Sequence, residues 1–419
     1  MTAIAERYAE LRQQMDQRML AADPKRVVLL GQALEQLGRP EQHYQVLHIA
    51  GTNGKGSTGA FIAQALRNAG YHVGHFASPA IGSDLQQTQL DGSAITATAY
   101  VALLEATMAR LQLPIAAFSA FEWDVLVTLQ WYALQGAQWV VLEAGLGGAT
   151  DATNAILPPK AAIFTHIALD HMAILGPTVA AIAHNKAQII KPNTTVFIAP
   201  HQAPAAKAAL LAQAAKYAAP VIDASTLTLT PIRYSLSETR AVLADGTLVR
   251  VKMLGGYQLD NARTALAVGD WLIQQGVLAD RRPLLAALAT VQLPGRLQAY
   301  GEDPWVFLDA GHNPDAFPQV VQTLRGLLPK GGRLLVVAGF LADKDTTTLA
   351  AELASVDAVW VTTPTHPTRA LPGAKLQQAV PNSILAADVH AGLAAAEAQA
   401  RANDVILVAG SFYLIGELL

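Results

Sequence analysis

Short, mainly apolar runs alternate with longer amphipathic stretches along most of this chain. Residues 45–49, 71–77, 139–143, 161–165, 196–199 and 221–223 have the length and apolar content of buried strands. Between them, residues 57–68, 122–135, 179–190 and 202–217 carry helical patterns, with Gly70 and Gly136 placed as stops. Strands alternating with helices predict βαβ units and a mainly parallel sheet. Residues 226–253 break that rhythm. Their alternating positions and the Asp245-Gly246 pair predict an antiparallel hairpin, followed by a long helix over 257–275. After Gln292-Leu293-Pro294-Gly295-Arg296 the alternation restarts. Strands are expected at 306–309, 334–338, 358–361 and 405–409, with helices at 317–328, 346–354 and 390–402.

Composition narrows this picture. A length of 419 residues allows two or three domains at about 100–200 residues each, and the interruption near Gly295 favours two. With 52% hydrophobic and only 15% charged residues, the chain is not a disordered one. The net charge of -3 offers no footprint for nucleic acid. The chain has no cysteine, which excludes disulfides, thiolate nucleophiles, zinc–thiolate sites and iron–sulfur clusters. Any metal must bind oxygen or imidazole. The first 19 residues carry Glu6, Arg7, Glu10, Arg12, Asp16 and Arg18 without an apolar signal core, and no run is long enough to span a bilayer. A cytoplasmic protein without a membrane partner is expected.

The motif that carries chemistry is His48-Ile49-Ala50-Gly51-Thr52-Asn53-Gly54-Lys55-Gly56-Ser57-Thr58, between an expected strand and an expected helix. Glycines let backbone N–H groups turn toward phosphate oxygens, and the helix N-terminus adds favourable partial charge. Lys55 can reach the terminal phosphates, and a hydroxyl just after it can hold Mg²⁺. The strict Walker pattern is not met: Ile49 replaces its first glycine and Gly56 its Ser/Thr. The fold class is therefore α/β, with a P-loop-type, mainly parallel sheet domain over 1–295 and a smaller Rossmann-like α/β domain over 296–419.

Glu143 is expected at a strand end, where α/β proteins bind ligands, and its oxygens suit Mg²⁺. The plainer alternative is a carboxylate in solvent. His171 on its own residues reads as a packed or capping histidine, and Lys186 as an amine snorkelling from an apolar helix. Asp309-Ala310-Gly311-His312-Asn313-Pro314 reads as a turn that caps the next helix, with Pro314 at its first position. Phe121-Glu122 either belongs to a site or opens a helix with an acidic residue.

Gly51-Thr52-Asn53-Gly54-Lys55-Gly56-Ser57 resembles the loop of folylpolyglutamate and dihydrofolate synthases, within the Mur ligase superfamily. Further ordered matches carry the resemblance: residues 142–148 with Asp151-Ala152-Thr153-Asn154; Leu169-Asp170-His171-Met172; Lys186 to Lys191; Leu254-Gly255-Gly256-Tyr257-Gln258 with Asn261; Pro294-Gly295-Arg296; residues 309–314; residues 342–345; and Gly410-Ser411-Phe412-Tyr413. The resemblance implies an ATP-dependent, Mg²⁺-dependent ligase that adds L-glutamate to a folate through an acyl phosphate, acting as a monomer. It implies that residues 52–58 hold nucleotide phosphates. Ser57, Ser78 and Glu143 would line one Mg²⁺, and His171 would help hold a second. ATP would lie between domains, with Asn261 near the adenine, Arg296 at the phosphates, and Asp309 and His312 contacting the nucleotide. Lys186 would be carbamoylated. Lys55, Glu143, His171 and Lys186 are the residues expected to act in catalysis.

Three stretches depart from the family pattern. Residues 80–89 replace an Asn-Glu-Arg-Ile segment after Ser78-Pro79, Ala149-Thr150 stand where Arg-Leu is frequent, and Asn185 and Gln188 stand where Glu and Gly are frequent. All three bear on the acceptor side or the lysine. They leave open a paralogue that ligates an amino acid to a non-folate carboxylate, or an ATP-binding protein with a degenerate acceptor site.

Overall fold

A strand can bury every side chain only when both faces of its sheet are covered, and Trp139–Glu143 does so. In the computed structural model, which describes residues 3–15, 23–366 and 368–419, this strand belongs to an eight-stranded sheet. Its members are β1 (Gln45–Ala50), β2 (Val73–Phe76), β3 (Thr88–Leu90), β4 (Ser93–Ala94), β5 (Trp139–Glu143), β6 (Ala161–Phe164), β7 (Thr195–Ile198) and β8 (Val221–Asp223), in the order β4-β3-β2-β5-β1-β6-β7-β8. All neighbours are parallel except β3 on β2 and β4 on β3, which form an antiparallel edge. Ile49 pairs with Glu143 on one side and Ile163 on the other, so the segments after β1, β5 and β6 leave the sheet at one edge. Such an edge is where parallel α/β sheets present ligand sites.

Helices cover both faces. Val46, Val140 and Leu142 pack with Trp123 and Leu126 of the helix Ala120–Leu134. Phe164 and Ile198 pack with Ile182 and Leu210. The helix Ala120–Leu134 opens with a capping box, in which Ser119 and Glu122 bond each other's backbone N–H groups. Glu122 is also ion-paired with Arg26. Its acidic side chain thus serves helix initiation, the second of the two readings above. The N-terminal helix Ala3–Gln14 is tied down by Arg12, whose guanidinium donates to Asp124 Oδ1 at 2.6 Å and Asp84 Oδ2 at 2.8 Å. Asp84 lies within residues 80–89, so this pair also anchors that loop. Asp16 and Arg18 lie outside the described residues.

The chain separates into two compact units, Met1–Leu227 with Asp260–Ala287, and Thr228–Leu259 with Leu288–Leu419. The contiguous division at residue 295 is therefore crossed by residues 228–259 and 288–295, which pack with the second unit. Leu254 is the physical reason, since it is buried in that unit's core with Phe307, Phe317 and Val336. The expected hairpin is a three-stranded antiparallel sheet, β9 (Leu229–Tyr234), β10 (Thr239–Leu243) and β11 (Leu248–Val251), with Asp245-Gly246 turning between the last two. The other sheet of this unit runs β12-β13-β17-β14-β15-β16, where β12 is Gln298–Glu302, β13 Trp305–Asp309, β14 Leu334–Ala338, β15 Ala358–Val361, β16 Ile384–Leu385 and β17 Val405–Ala409. Only β12 runs antiparallel to its neighbour. Among the described residues, no helix is long and apolar enough to cross a membrane.

Two histidines with desolvated rings, His48 and His75, make this fold sensitive to acid, and His48 is the more strongly shifted. His48 in β1 is fully buried, with Nε2 2.8 Å from Thr153 Oγ1. Thr153 donates its single hydroxyl hydrogen to Asp151, so His48 Nε2–H must be the donor to Thr153. Burial, aided by Lys191, holds the imidazole down to about 3. In an unfolded chain it titrates near 6.5. Between those values the unfolded chain binds a proton that the fold excludes, so stability is fully present above pH 6.5 and falls as the pH drops. Urea unfolding should show His48→Gln flattening the stability loss between pH 7 and 4.5 by about 2–3 kcal/mol. An unchanged slope would mean that His48 is not one of the groups responsible.

Candidate functional site

The turn from β1 into the helix Lys55–Asn68 is built around glycine. Gly54 is the N-cap in a left-handed conformation, φ 88°, and a β-carbon there would collide with the Asn261 side-chain oxygen. Asn261, itself buried, thereby closes over the loop. Gly51 is pressed against the Thr165 hydroxyl. The N–H groups of Thr52 and Asn53 both donate to the His166 carbonyl, at 2.8 and 3.1 Å, and the Thr52 hydroxyl bonds Ala168 through both its donor and its acceptor. These two residues therefore fix the loop to the strand-end segment 165–168. The amides left to face an anion are those of Lys55, Gly56 and Ser57, in the first turn of the helix, which have no intrahelical acceptor. Ser57 and Thr58 are buried, and the Thr58 hydroxyl has no hydrogen-bond partner.

Two lysines converge on this turn. Lys55 Nζ lies 3.2 Å from the Gly51 carbonyl, 3.4 Å from that of Thr52 and 3.6 Å from Glu143 Oε1. Lys186 Nζ donates to the same Gly51 carbonyl at 2.8 Å. Lys186 is 4% exposed, so its amine does not snorkel to water. Burial, and next to it the charge of Lys55, lowers its pKa to about 7, against the opposing pull of Asp170, Asp151 and Glu143. Glu143 at the end of β5 is 5% exposed and ion-paired, not a carboxylate in solvent. Asn185 holds the glycine-rich segment after β5, since its Oδ1 accepts from the N–H groups of Gly148 at 3.0 Å and Ala149 at 3.3 Å.

His171 takes the left-handed conformation, φ 48°, before the short helix Met172–Leu175. Its backbone carbonyl caps that turn, accepting from Ile174 and Leu175 at 2.9 Å each. The capping is done by the main chain, and its imidazole Nε2 stands 3.9 Å from Asp170 Oδ2. Ser78 lies two residues beyond β2, whose Phe76 pairs with Leu142, at the sheet edge that carries Glu143. Among the described residues, no three histidine or carboxylate side chains are grouped as a metal cluster.

The second unit gathers the other expected residues. Asp309 ends β13, is 3% exposed, and staples two segments by accepting from Leu297 N–H at 2.8 Å and Gly311 N–H at 2.7 Å. Burial raises its carboxyl pKa while Arg296 opposes that shift. His312 Nδ1 lies 2.8 Å from the Ala310 carbonyl, so Nδ1 carries the proton. Asn313 caps the following helix, its Oδ1 accepting from the N–H groups of Asp315 and Ala316. The Asn313 carbonyl accepts from Phe317 N–H at 3.1 Å, so Pro314 stands in the first turn leading into the helix Ala316–Leu327, as expected.

Sequence reasoning left several contributors without a role. The His166 carbonyl, the Gly51 carbonyl and Thr165 act through backbone geometry or close approach, which no residue type announces. Asp151 and Asp170 stood in quoted motifs but had no assigned part. Phe412, in Gly410-Ser411-Phe412-Tyr413, has the Arg296 guanidinium stacked over its ring at 5.0 Å.

Known proteins resemble this chain in sequence and in fold. Residues 49–269 match the Mur ligase middle domain, and residues 295–412 match the Mur ligase glutamate ligase domain. The dihydrofolate synthase/folylpolyglutamate synthase of Escherichia coli K12 is 31% identical over 377 residues, covering 89% of this chain and 86% of its own. Escherichia coli FolC, solved in complex with DHPP and ADP, superimposes with a TM-score of 0.86 at 28% identity, covering all of this chain and 97% of that one. The bifunctional enzyme of Yersinia pestis, solved with AMPPNP and a Mn ion, gives 0.83 at 25% identity, with coverage of 100% and 97%. With both Mur ligase domains matched in order and a curated relative 31% identical along most of its length, the chain belongs to the folylpolyglutamate synthase/dihydrofolate synthase family of Mur ligases.

Proposed function

We propose that this chain is an ATP-dependent ligase that joins the amine of L-glutamate to the carboxylate of a folate, as a folylpolyglutamate synthase that also accepts dihydropteroate. The observation that carries the reading is the convergence of a helix N-terminus, Lys55, Lys186 and Glu143 around the Gly51–Gly54 turn. An acceptor carboxylate oxygen attacks the γ-phosphorus of ATP and ADP leaves. The neutral glutamate amine then attacks the acyl carbon, phosphate leaves with the bonding electron pair, and the nitrogen gives up one proton to the departing phosphate.

Each residue has a task in that sequence. The first-turn amides and Lys55 bind the β- and γ-phosphates, where fixed donors and a cation counter the charge that develops during transfer. Thr52 and Asn53 hold the loop in shape. Asn261 packs over Gly54 on the nucleotide side. On family grounds Arg296, Asp309 and His312 are read as nucleotide-contacting residues, with Arg296 as the cation.

The donor set fits a hard divalent cation. Ser57, Glu143 and Ser78 are oxygen donors, one of them a buried carboxylate, and His171 adds an imidazole. Mg²⁺ takes few protein ligands and completes its shell with phosphate oxygens and water. When bound, Mg²⁺ would supply positive charge against the phosphates. Lys186 is suited to carbamoylation because its buried amine sheds its proton near neutral pH, leaving the nitrogen lone pair that carbon dioxide requires. The protein is read as a cytoplasmic monomer on family grounds.

Glutamate-dependent ADP release with dihydropteroate and tetrahydrofolate side by side tests the reading. Turnover with a non-folate acid alone would overturn it. Lys55→Ala should lower turnover at least 100-fold, in line with the loss of a charged transition-state contact, and near-normal rates would remove the phosphate-loop assignment. Glu143→Gln should move the Mg²⁺ titration to about ten-fold higher concentration, as expected when a hard cation loses an anionic ligand. An unshifted titration would exclude Glu143 from the metal shell.

A further inference from the structure

We propose that Phe412 is a positioning residue for the reaction: its ring is a shared platform that fixes both the Arg296 guanidinium and the His312 imidazole. This rests on the reading of those two residues as nucleotide contacts. The Arg296 guanidinium carbon lies 5.0 Å from the Phe412 ring centroid, within the range of a cation–π contact. The His312 ring meets the same phenyl group edge-on, with centroids 6.3 Å apart and planes at 61°. One aromatic side chain thus touches two residues 16 positions apart in sequence, neither of them its neighbour along the chain.

The backbone around the ring is held from three sides. Phe412 opens the helix Phe412–Gly416, and the buried Ser411 caps that helix by accepting from Leu414 N–H at 3.0 Å. The Gly295 carbonyl accepts from Ala310 N–H at 2.9 Å and from Arg296 Nη1 at 3.2 Å. The Ala310 carbonyl in turn receives His312 Nδ1–H. Arg296 and His312 are therefore anchored at their bases to one another's segments and oriented at their tips by Phe412. A cation–π contact consumes none of the guanidinium's N–H donors, so with Nη1 given to the Gly295 carbonyl its other N–H groups can still grip phosphate. A long side chain loses several rotamers when it binds, and a platform that has already removed them lets binding energy act on the transferring group.

Double-mutant cycles test this. Phe412→Leu keeps the apolar bulk and removes the π face. It should lower kcat about three- to ten-fold, the effect of one part-buried cation–π contact, with the KM of the acceptor unchanged. Phe412→Tyr should restore the rate. In one cycle with Arg296→Ala and another with His312→Ala, the loss from Phe412→Leu should be smaller than in the parent chain, because the ring acts through both groups. Fully additive losses in both cycles would mean a merely structural ring and would overturn the proposal. So would an unchanged kcat for Phe412→Leu where Arg296→Ala is impaired. Normal turnover by Arg296→Ala itself would remove the nucleotide reading of Arg296, and the platform with it. Thermal midpoints measured in parallel keep a folding defect separate, since Phe412→Tyr and Phe412→Leu must differ in kcat beyond any difference in stability.

Discussion

Two ammonium groups share one backbone carbonyl, that of Gly51, and the chemistry of the first unit depends on how that conflict is resolved. A carbonyl has two lone pairs and can accept both donors. What it cannot do is neutralise two positive charges in a buried place. Lys55 faces Glu143 from a largely buried position. Lys186, wholly buried, is pushed toward the neutral amine by burial and, next to it, by the Lys55 charge. One loop therefore holds, beside the Lys55–Glu143 pair, a nitrogen with a usable lone pair. Glu143, Asp151 and Asp170 limit how far that shift goes.

Around this pair, the functional segments are held mainly by main-chain groups. Thr52 and Asn53 give their amides to His166, Asn185 receives those of Gly148 and Ala149, and Asp309 receives those of Leu297 and Gly311. In each case a short polar side chain or a carbonyl staples a loop that leaves a parallel strand. Loops at strand ends cannot pair with the sheet, and a buried N–H without an acceptor is costly. The staples satisfy those groups and in doing so fix the directions of Lys55, Glu143 and Arg296.

Much of this was legible in the sequence. The strands 139–143, 334–338, 358–361 and 405–409 lie where their apolar runs place them, because a doubly covered parallel strand must be apolar throughout. The turn from β1 into the helix Lys55–Asn68 was legible because clustered glycines mark a tight exit from a strand. The N-terminal helices and the helix Ala97–Leu111 were not read, since alanine-rich stretches with scattered charges show no sharp period. The alternation of 226–253 marked a β segment, but its third strand and its membership of the second unit depend on packing by Leu254, which acts across more than fifty residues. Roles carried by carbonyls, such as those of Gly51 and His166, leave no trace in residue identity.

The clamp made by Asn185 has an evolutionary consequence. It grips the peptide amides of Gly148 and Ala149, and every residue except proline offers such an amide. The side chain at 149 can therefore change without loosening the clamp, as Ala149 in place of Arg does. Gly148 has no such licence, because a β-carbon there would strike the Lys186 backbone. One asparagine thus fixes the path of the loop while leaving the identity of the residue at 149 open to variation.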